Sequence, residues 1–457
     1  MNWFKRFSGL RPDLLSDPIR PLVRRLALPV GIGFFFNTMF NVVDTWYAGR
    51  ISTEAVAAVS LSFPLFFLII AVGSGISTGA TAIIGHALGA GRRDEAELYA
   101  SQTISFALLH GLLLTIFGLL AAPLIFRAMG AEGDYLSLAI SYMGAMFSGS
   151  AFFIANQAHN SILNASGDTK SFRNFLILAF VLNLIYDPWF IYGGFGLPPL
   201  GLPGIAWGTV TIQSIGTIYL HQRARRTGLL GVLGWKGFLP RRAMFYELAR
   251  MGFPSSLTML TVAAGIFVIT WYVGRFGHEA VAAYGIATRI EQMVLLPVMG
   301  LNVATLTLVA QNSGARQFDR VRETIRVALT SGITLMCLGT LLVYLAAEPL
   351  MRFFTADTPV IAVGCQYLKI IAFLFHAYVI LYINSFALQG LQRPRFALFL
   401  GIFRQFAAPM PVFWLLTAVL NLGVTGIWWG IFFINWLAAC ISLLYIRKTM
   451  KELLPEE

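Results

Sequence analysis

Three polar side chains in this 457-residue chain are placed where they can do chemistry: Asp44, Asn183 and Asp187, each inside a long apolar run. A carboxylate at membrane depth costs about 3 kcal/mol when ionised, so it is held protonated, paired or coordinating. Asn183 and Asp187 are four apart and share one helix face. Pro188 follows directly. It has no amide hydrogen, which frees the Leu184 carbonyl and predicts a bend there. A freed carbonyl, an amide oxygen and a carboxylate together suit a small hard cation or a water-mediated proton site. Pro29 precedes Asp44 by about four helical turns, roughly 22 Å, and is placed to hinge the helix below the acid.

The elements that position these residues are membrane helices. The chain is 57% hydrophobic and 12% charged, with a mean hydropathy of +0.72. A spanning helix needs roughly 20 apolar residues. Such runs fall at 24–48, 55–82, 97–121, 135–160, 171–192, 204–222, 244–273, 280–308, 324–346, 358–387, 396–419 and 424–446. The expectation is an all-α integral membrane protein with twelve transmembrane helices in two six-helix, pseudo-symmetric lobes around a central cleft. Period-2 alternation is absent, and an open sheet cannot span lipid.

The lobes follow from an internal repeat. Thr45–Ala58 returns as Thr270–Ala283 with ten of fourteen positions identical, including Trp46, Tyr47, Gly49 and Arg50. The same offset pairs Pro29 with Pro254, Gly89 with Gly314, Asp94 with Asp319 and Leu163 with Leu388. Asp44 faces Ile269 and Asp187 faces Val412, so the acids belong to one copy only. Six helices per copy return the chain to its starting side, which makes the repeats parallel, related by an axis along the membrane normal. The expected boundaries are 1–222 for the N-lobe, 223–243 for a basic, glycine-containing linker and 244–457 for the C-lobe.

Of the 33 Lys and Arg, 26 fall on one side of this topology and four, Arg50, Arg127, Arg275 and Arg352, on the other. The positive-inside rule therefore predicts both termini in the cytoplasm. The net charge of +12 is spread over many short loops rather than one stripe, which argues against a nucleic-acid partner and for contact with anionic lipid headgroups. Residues 1–10 show no apolar core or small-residue cleavage site, so no removable leader is expected there. Cys337, Cys365 and Cys440 show no metal or disulfide spacing, and the six histidines form no metal pattern. Gly85–Gly91 and its copy Gln311–Arg316 do not match a phosphate loop and read as helix-ending turns. With no nucleotide motif, the energy source is expected to be an ion gradient. Trp46, Tyr47, Trp271 and Tyr272 read as interface anchors.

These segments resemble the multidrug and toxic compound extrusion (MATE) family, in its DinF-like bacterial branch. The resemblance rests on Pro29 through Asp44, Gly85-His-Ala-Leu-Gly-Ala-Gly91, Leu163-Asn-Ala-Ser-Gly-Asp-Thr-Lys170, Asn183-Leu-Ile-Tyr-Asp-Pro188 and Gly204-Ile-Ala-Trp-Gly-Thr-Val210, and extends over essentially the whole chain. It implies a cation-coupled antiporter of the bacterial cytoplasmic (inner) membrane. Such a protein exports drugs or metabolites, either hydrophobic organic cations or amphipathic compounds, by alternating access. The coupling site is then Asp44, Asn183, Asp187 and Thr209. The coupling ion is H⁺ or Na⁺, and if it is Na⁺ the same four residues are its ligands. Asn37, Tyr142 and Asn160 are expected to line the cavity and Pro29 to be the hinge. No cofactor is implied, small molecules and membrane lipids are the expected partners, and the protein is expected to act as a monomer. The NorM-like branch carries a glutamate in the seventh helix where Val262, Ala263 and Ala264 stand here, which directs attention to the first lobe. Arg289, Glu291, Lys369 and Arg404 lie at membrane depth in the second lobe and are expected to form a polar network, steadying the bundle or acting on cargo. A flippase of lipid-linked precursors shares the two-lobed plan and is the alternative, though twelve helices rather than fourteen argue against it. An intramembrane enzyme needs a nucleophile–base or metal motif that the helices do not show.

Overall fold

A computed structural model describes residues 13–454. Three of the 26 basic residues counted on the cytoplasmic side, Lys5, Arg6 and Arg11, and the expectation about residues 1–10, lie outside that range. Among the described residues the only β feature is an isolated bridge between Gly194 and Leu197, in the turn after the sixth helix. The first repeat is α1 (Ile19–Ile51), α2 (Thr53–Gly89), α3 (Arg93–Ala128), α4 (Gly133–Ser148), α5 (Ser150–Ala165), α6 (Lys170–Tyr192) and α7 (Leu202–Arg225). The second is α8 (Arg242–Val273), α9 (His278–Gly314), α10 (Phe318–Leu345), the short α11 (Ala347–Arg352), α12 (Thr358–Ile371), α13 (Phe375–Gly390), α14 (Arg395–Ile402), α15 (Pro409–Trp414) and α16 (Gly423–Leu453).

Some of these are halves of one span. α4 and α5 meet at a 43° bend at Gly149, where a Cβ would run into Val210 of α7. α12 and α13 continue through a 3₁₀ turn, and α14 and α15 are joined and ended by π turns over Arg395–Val419. Among the described residues, ten helices are long and apolar enough to cross a membrane, or eleven counting the bent pair. α7, too polar to join them, is the twelfth, which gives six spans in each lobe. The helices run past the expected bounds: α2 ends at Gly89 and α3 begins at Arg93, where the sequence reading stopped at 82 and resumed at 97. The added start of α3, Arg93-Asp-Glu-Ala96, is charged, and the added end of α2, residues 83–89, carries Gly85, His86 and Gly89 among its apolar residues. α6 runs unbroken through Pro188, and α1 through Pro29, so the expected bend at Leu184 interrupts no helix.

The repeat is visible in the backbone. Gly91 and Gly167 end helices at positive φ, and their repeat partners Arg316 and Gln392 hold the same left-handed conformation without being glycine. At the opposite end, Arg50 sits 4.7 Å above the Trp46 ring and Arg275 sits 3.9 Å above Trp271. This repeated cation–π stack gives the Trp-Tyr-x-Gly-Arg block a reason beyond interface anchoring.

The lobes are joined at the end that carries the basic loops. Leu22, Val23, Leu26 and Ala27 of α1 are built into the second lobe's core, and Leu248 and Met251 of α8 into the first lobe's. Glycines let the backbones touch there, as small residues do between membrane helices. A Cβ on Gly89 would strike the Gln311 carbonyl oxygen, and one on Gly314 would strike that of His86. These contacts are reciprocal, since His86 and Gln311 are themselves repeat partners. A Cβ on Gly79 would sit 2.8 Å from the Gly252 nitrogen. The linker is strapped to α3: Gln102 donates to the carbonyls of Gly237 (2.8 Å) and Leu239 (2.7 Å) and accepts from the Arg241 amide (2.8 Å).

Candidate functional site

α1, α6 and α7 bring their polar residues together in the interior of the first lobe. Asp44 is 8% exposed, Thr209 3%, and Asn183 and Asp187 are fully buried. The Asn183 amide donates to Asp44 Oδ1 at 2.8 Å. Asp187 and Thr209 stand beside Asp44. Gly208 lets α7 approach, since a Cβ there would lie 3.2 Å from Asp187 Oδ1. Tyr142 of α4, also buried, lies within electrostatic reach of both carboxylates.

The cluster has more acceptors than donors. Both Asp187 oxygens, Asn183 Oδ1 and Thr209 Oγ1 are buried without a hydrogen-bond partner. Carboxylates only accept, and the donors in contact are the Asn183 amide, given to Asp44, and the single Thr209 hydroxyl. Two buried acids with no basic residue between them are costly unless a positive charge or a proton completes the set. The donor set, hard oxygen ligands from two carboxylates, an amide and a hydroxyl, fits H⁺ or a small hard cation such as Na⁺. Among the described residues, no group of three or more His, Cys, Asp or Glu is placed to hold a metal ion. Any cation here would therefore be held partly by amide and hydroxyl oxygens.

The other expected residues fall at different depths. Asn160 is buried with an unpartnered Oδ1 and faces a small cavity of about 30 Å³ beside Val30, Gly33 and Phe34, toward the basic end. Asn37 is exposed on α1, two turns from Asp44. Pro29 is buried inside α1.

In the second lobe the expected network is smaller than the sequence indicated. Glu291 is buried and accepts from the Tyr367 hydroxyl at 2.7 Å. Arg404 donates to Asn435 Oδ1 at 3.0 Å and lies 5.9 Å from the Tyr378 ring. Arg289 and Lys369 are exposed and belong to neither pair. Position in an apolar run does not fix the face a residue presents.

Sequence reading missed a histidine pair. His159 of α5 and His221 of α7 are 3.1 Å apart, nitrogen to nitrogen, although 62 residues separate them in the chain. The signal present in the sequence was the four-residue spacing of Thr209, Gln213, Thr217 and His221, which puts all four on one face of α7.

A model of the family described as MatE matches residues 29–189 and 254–415, one match in each repeat. The probable multidrug resistance protein YoeA of Bacillus subtilis is 27% identical over 407 residues, covering 88% of either chain. A FAD transporter of Shewanella oneidensis is 26% identical over 409 residues, covering 88% of this chain and 89% of its own. A solved structure described as the outward-facing conformation of a multidrug resistance MATE family transporter of the MOP superfamily superposes with a TM-score of 0.90. It is 25% identical and covers 97% of this chain and 98% of its own.

Proposed function

Because this chain belongs to the MatE family of multi-pass membrane transporters, which are not enzymes, we propose that it is an antiporter that exports hydrophobic organic cations or amphipathic compounds and is driven by cation binding at Asp44, Asn183, Asp187 and Thr209. Members of this family are in general cation-coupled antiporters. The observation that carries the reading is the excess of acceptors: four buried, unpartnered acceptor or hydroxyl atoms next to a second carboxylate. Protons are favoured over Na⁺ as the coupling ion, because two adjacent carboxylates retain a shared proton without a full coordination shell.

A ligand drives a conformational change only through different affinity for the two states. The acids lie on α1 and α6, and α1 is the helix whose other end is embedded in the second lobe. Loading the cluster removes the repulsion between Asp44 and Asp187 and draws α1, α6 and α7 together. Through α1 that movement reaches the lobe contact at the basic end. Positive-inside orientation puts that end in the cytoplasm, so the contact closed here is the inner gate and the cluster loads from outside. The expected setting is the bacterial cytoplasmic membrane, with the protein acting as a monomer.

The FAD transporter and YoeA carry unlike cargoes by name, and the exposed Arg289 and Lys369 leave room for anionic groups on the cargo. The test is export of ethidium from cells carrying Asp44→Asn. The substitution keeps the hydrogen bond to Asn183 within reach and removes the charge. Export should be lost while protein level and thermal stability in detergent are kept; undiminished export would refute the assignment.

A further inference from the structure

We propose that His159 and His221 form the cytoplasmic end of a proton exit path that runs from the acid cluster along the α5–α7 seam. The inference rests on the proton-coupled reading above and assigns residues that the coupling site does not include.

The path is a ladder of polar groups through an otherwise apolar lobe. Thr209, beside the acids, begins the stripe on α7, and Gln213, Thr217 and His221 follow at successive turns of about 6 Å. Asn156 of α5 ties the middle rungs: its amide donates to Gln213 Oε1 at 2.7 Å, and its oxygen accepts from the Thr217 hydroxyl at 2.8 Å. One turn nearer the basic end, buried His159 meets half-buried His221.

The partners fix the protons on the neutral pair. The Ala155 carbonyl only accepts, so His159 Nδ1 carries the hydrogen of their 2.7 Å contact. His159 Nε2 is then the acceptor, and His221 Nδ1 donates to it at 3.1 Å. The open lone pair is His221 Nε2. Ala155 precedes His159 on a helix that runs toward the basic end, so His159 Nδ1 points to the membrane interior and His221 is the outlet.

This polarity is the one left when a proton has just been discharged. In the loaded polarity the His159 ring has swung off the Ala155 carbonyl, so that Nδ1 is bare and open to the interior. His159 Nε2–H donates to His221 Nδ1, and His221 Nε2 carries a hydrogen; the return of Nδ1–H to that carbonyl follows protonation. A proton from the interior then binds His159 Nδ1. The Nε2 proton passes to His221 Nδ1, and the His221 Nε2 proton leaves to the cytoplasm. One proton enters and one leaves, and the pair stands as described. A second outward-to-inward transit must wait until both rings return to the loaded polarity. Thr209 Oγ1 has no partner and lies a full turn from Gln213, so the ladder is also broken at its top. Both features keep the inner-gate-closed state from leaking protons.

The electrostatic surroundings suit a carrier. Arg225, one turn past His221, is the charged group that acts on that ring, and His221 is the titratable group that acts on His159. Arg223 is turned to the Ser171 hydroxyl at 2.8 Å and to Asp168 at 3.9 Å. Among the described residues, no carboxylate stands against the pair to trap the proton.

The test uses the full-length protein in right-side-out liposomes with a pH dye in the lumen and ethidium as cargo. After a single acid jump outside, His221→Ala and His159→Asn should slow proton appearance in the lumen by about a hundredfold, the scale of a positioned proton carrier. Ethidium affinity should be unchanged. Imidazole in the lumen should restore the His221→Ala rate, because that ring is half exposed. Release at the wild-type rate in both variants would overturn the proposal. So would a slow release that imidazole leaves slow and that comes with weakened ethidium binding, the mark of a packing role. If wild-type protein exchanges ethidium for Na⁺ and never for protons, the coupling reading falls and the exit path with it.

Discussion

Adding one methyl group at Gly314 should unfasten the two lobes. The new Cβ would overlap the His86 carbonyl oxygen, and the matching change at Gly89 would overlap that of Gln311. Both obstacles are helix-end backbone rather than the tip of a flexible side chain, so the methyl cannot be accommodated by a rotamer change. Overpacking of this kind costs about 1–3 kcal/mol. The cost falls only on the state in which α2 and α9 touch, because separating the lobes removes the overlap. A differential of that size shifts a two-state equilibrium about 5- to 150-fold. Spin labels at Arg92→Cys and Arg316→Cys, both exposed at the ends concerned, report the separation once Cys337, Cys365 and Cys440 are replaced by Ser. The expected result for Gly314→Ala and Gly89→Ala is a new population at longer distance without added cation or cargo. Gly285→Ala is the control: it lies within α9 with open space around its Cβ position, and should stabilise by about 0.5–1 kcal/mol with no change in distance. An unchanged distance distribution in both gate variants, or the same change in Gly285→Ala, would refute the reasoning.

Arg316→Gly and Gln392→Gly should each raise stability by about 1 kcal/mol, since both residues hold a left-handed backbone that costs a side chain roughly that amount; thermal unfolding in detergent reads it, and a lowered midpoint would count against it. Arg275→Gln removes the closer of the two repeated cation–π stacks and should cost about 0.5–1 kcal/mol, with a smaller loss for Arg50→Gln. Tyr367→Phe removes the closer of the two tyrosine hydroxyls beside buried Glu291, leaving Tyr378, and should destabilise by about 1 kcal/mol. Glu291→Gln should keep proton-driven ethidium export, and its loss would move part of the coupling into the second lobe.

Much of this arrangement was legible because the sequence is written twice. The repeat, the apolar runs and the one-sided Arg and Lys placement lead directly to two six-span lobes. The asymmetry of Asp44 and Asp187 against Ile269 and Val412 points to the first lobe. The gathering of Asp44, Asn183, Asp187 and Thr209 came partly from helical spacing and partly from family resemblance, since spacing relates Asn183 to Asp187 but cannot relate α6 to α1 or α7. What spacing cannot show is rotation about a helix axis. Arg289 and Lys369, expected in a polar network from their place in apolar runs, are exposed, whereas Glu291, two residues beyond Arg289 and so on another helix face, is buried against Tyr367. Contacts between distant segments were equally hidden. His159 with His221 requires the packing of α5 on α7, and Gly89 with Gln311 requires two helix ends to cross. Gly89 and Gly314 were visible as repeat partners, but a glycine at a helix end ordinarily means a turn. Only the packed structure shows that these two face a neighbouring backbone.

The central claim is that cation occupancy of the first-lobe acids drives the exchange. Counter-transport of ethidium in liposomes, with pH and Na⁺ gradients imposed separately on wild-type, Asp44→Asn and Asp187→Asn proteins, tests it most directly. The account predicts uptake against the ethidium gradient in wild type under the pH gradient, and none in either variant under either gradient. Gradient-driven transport that persists in both variants would contradict it.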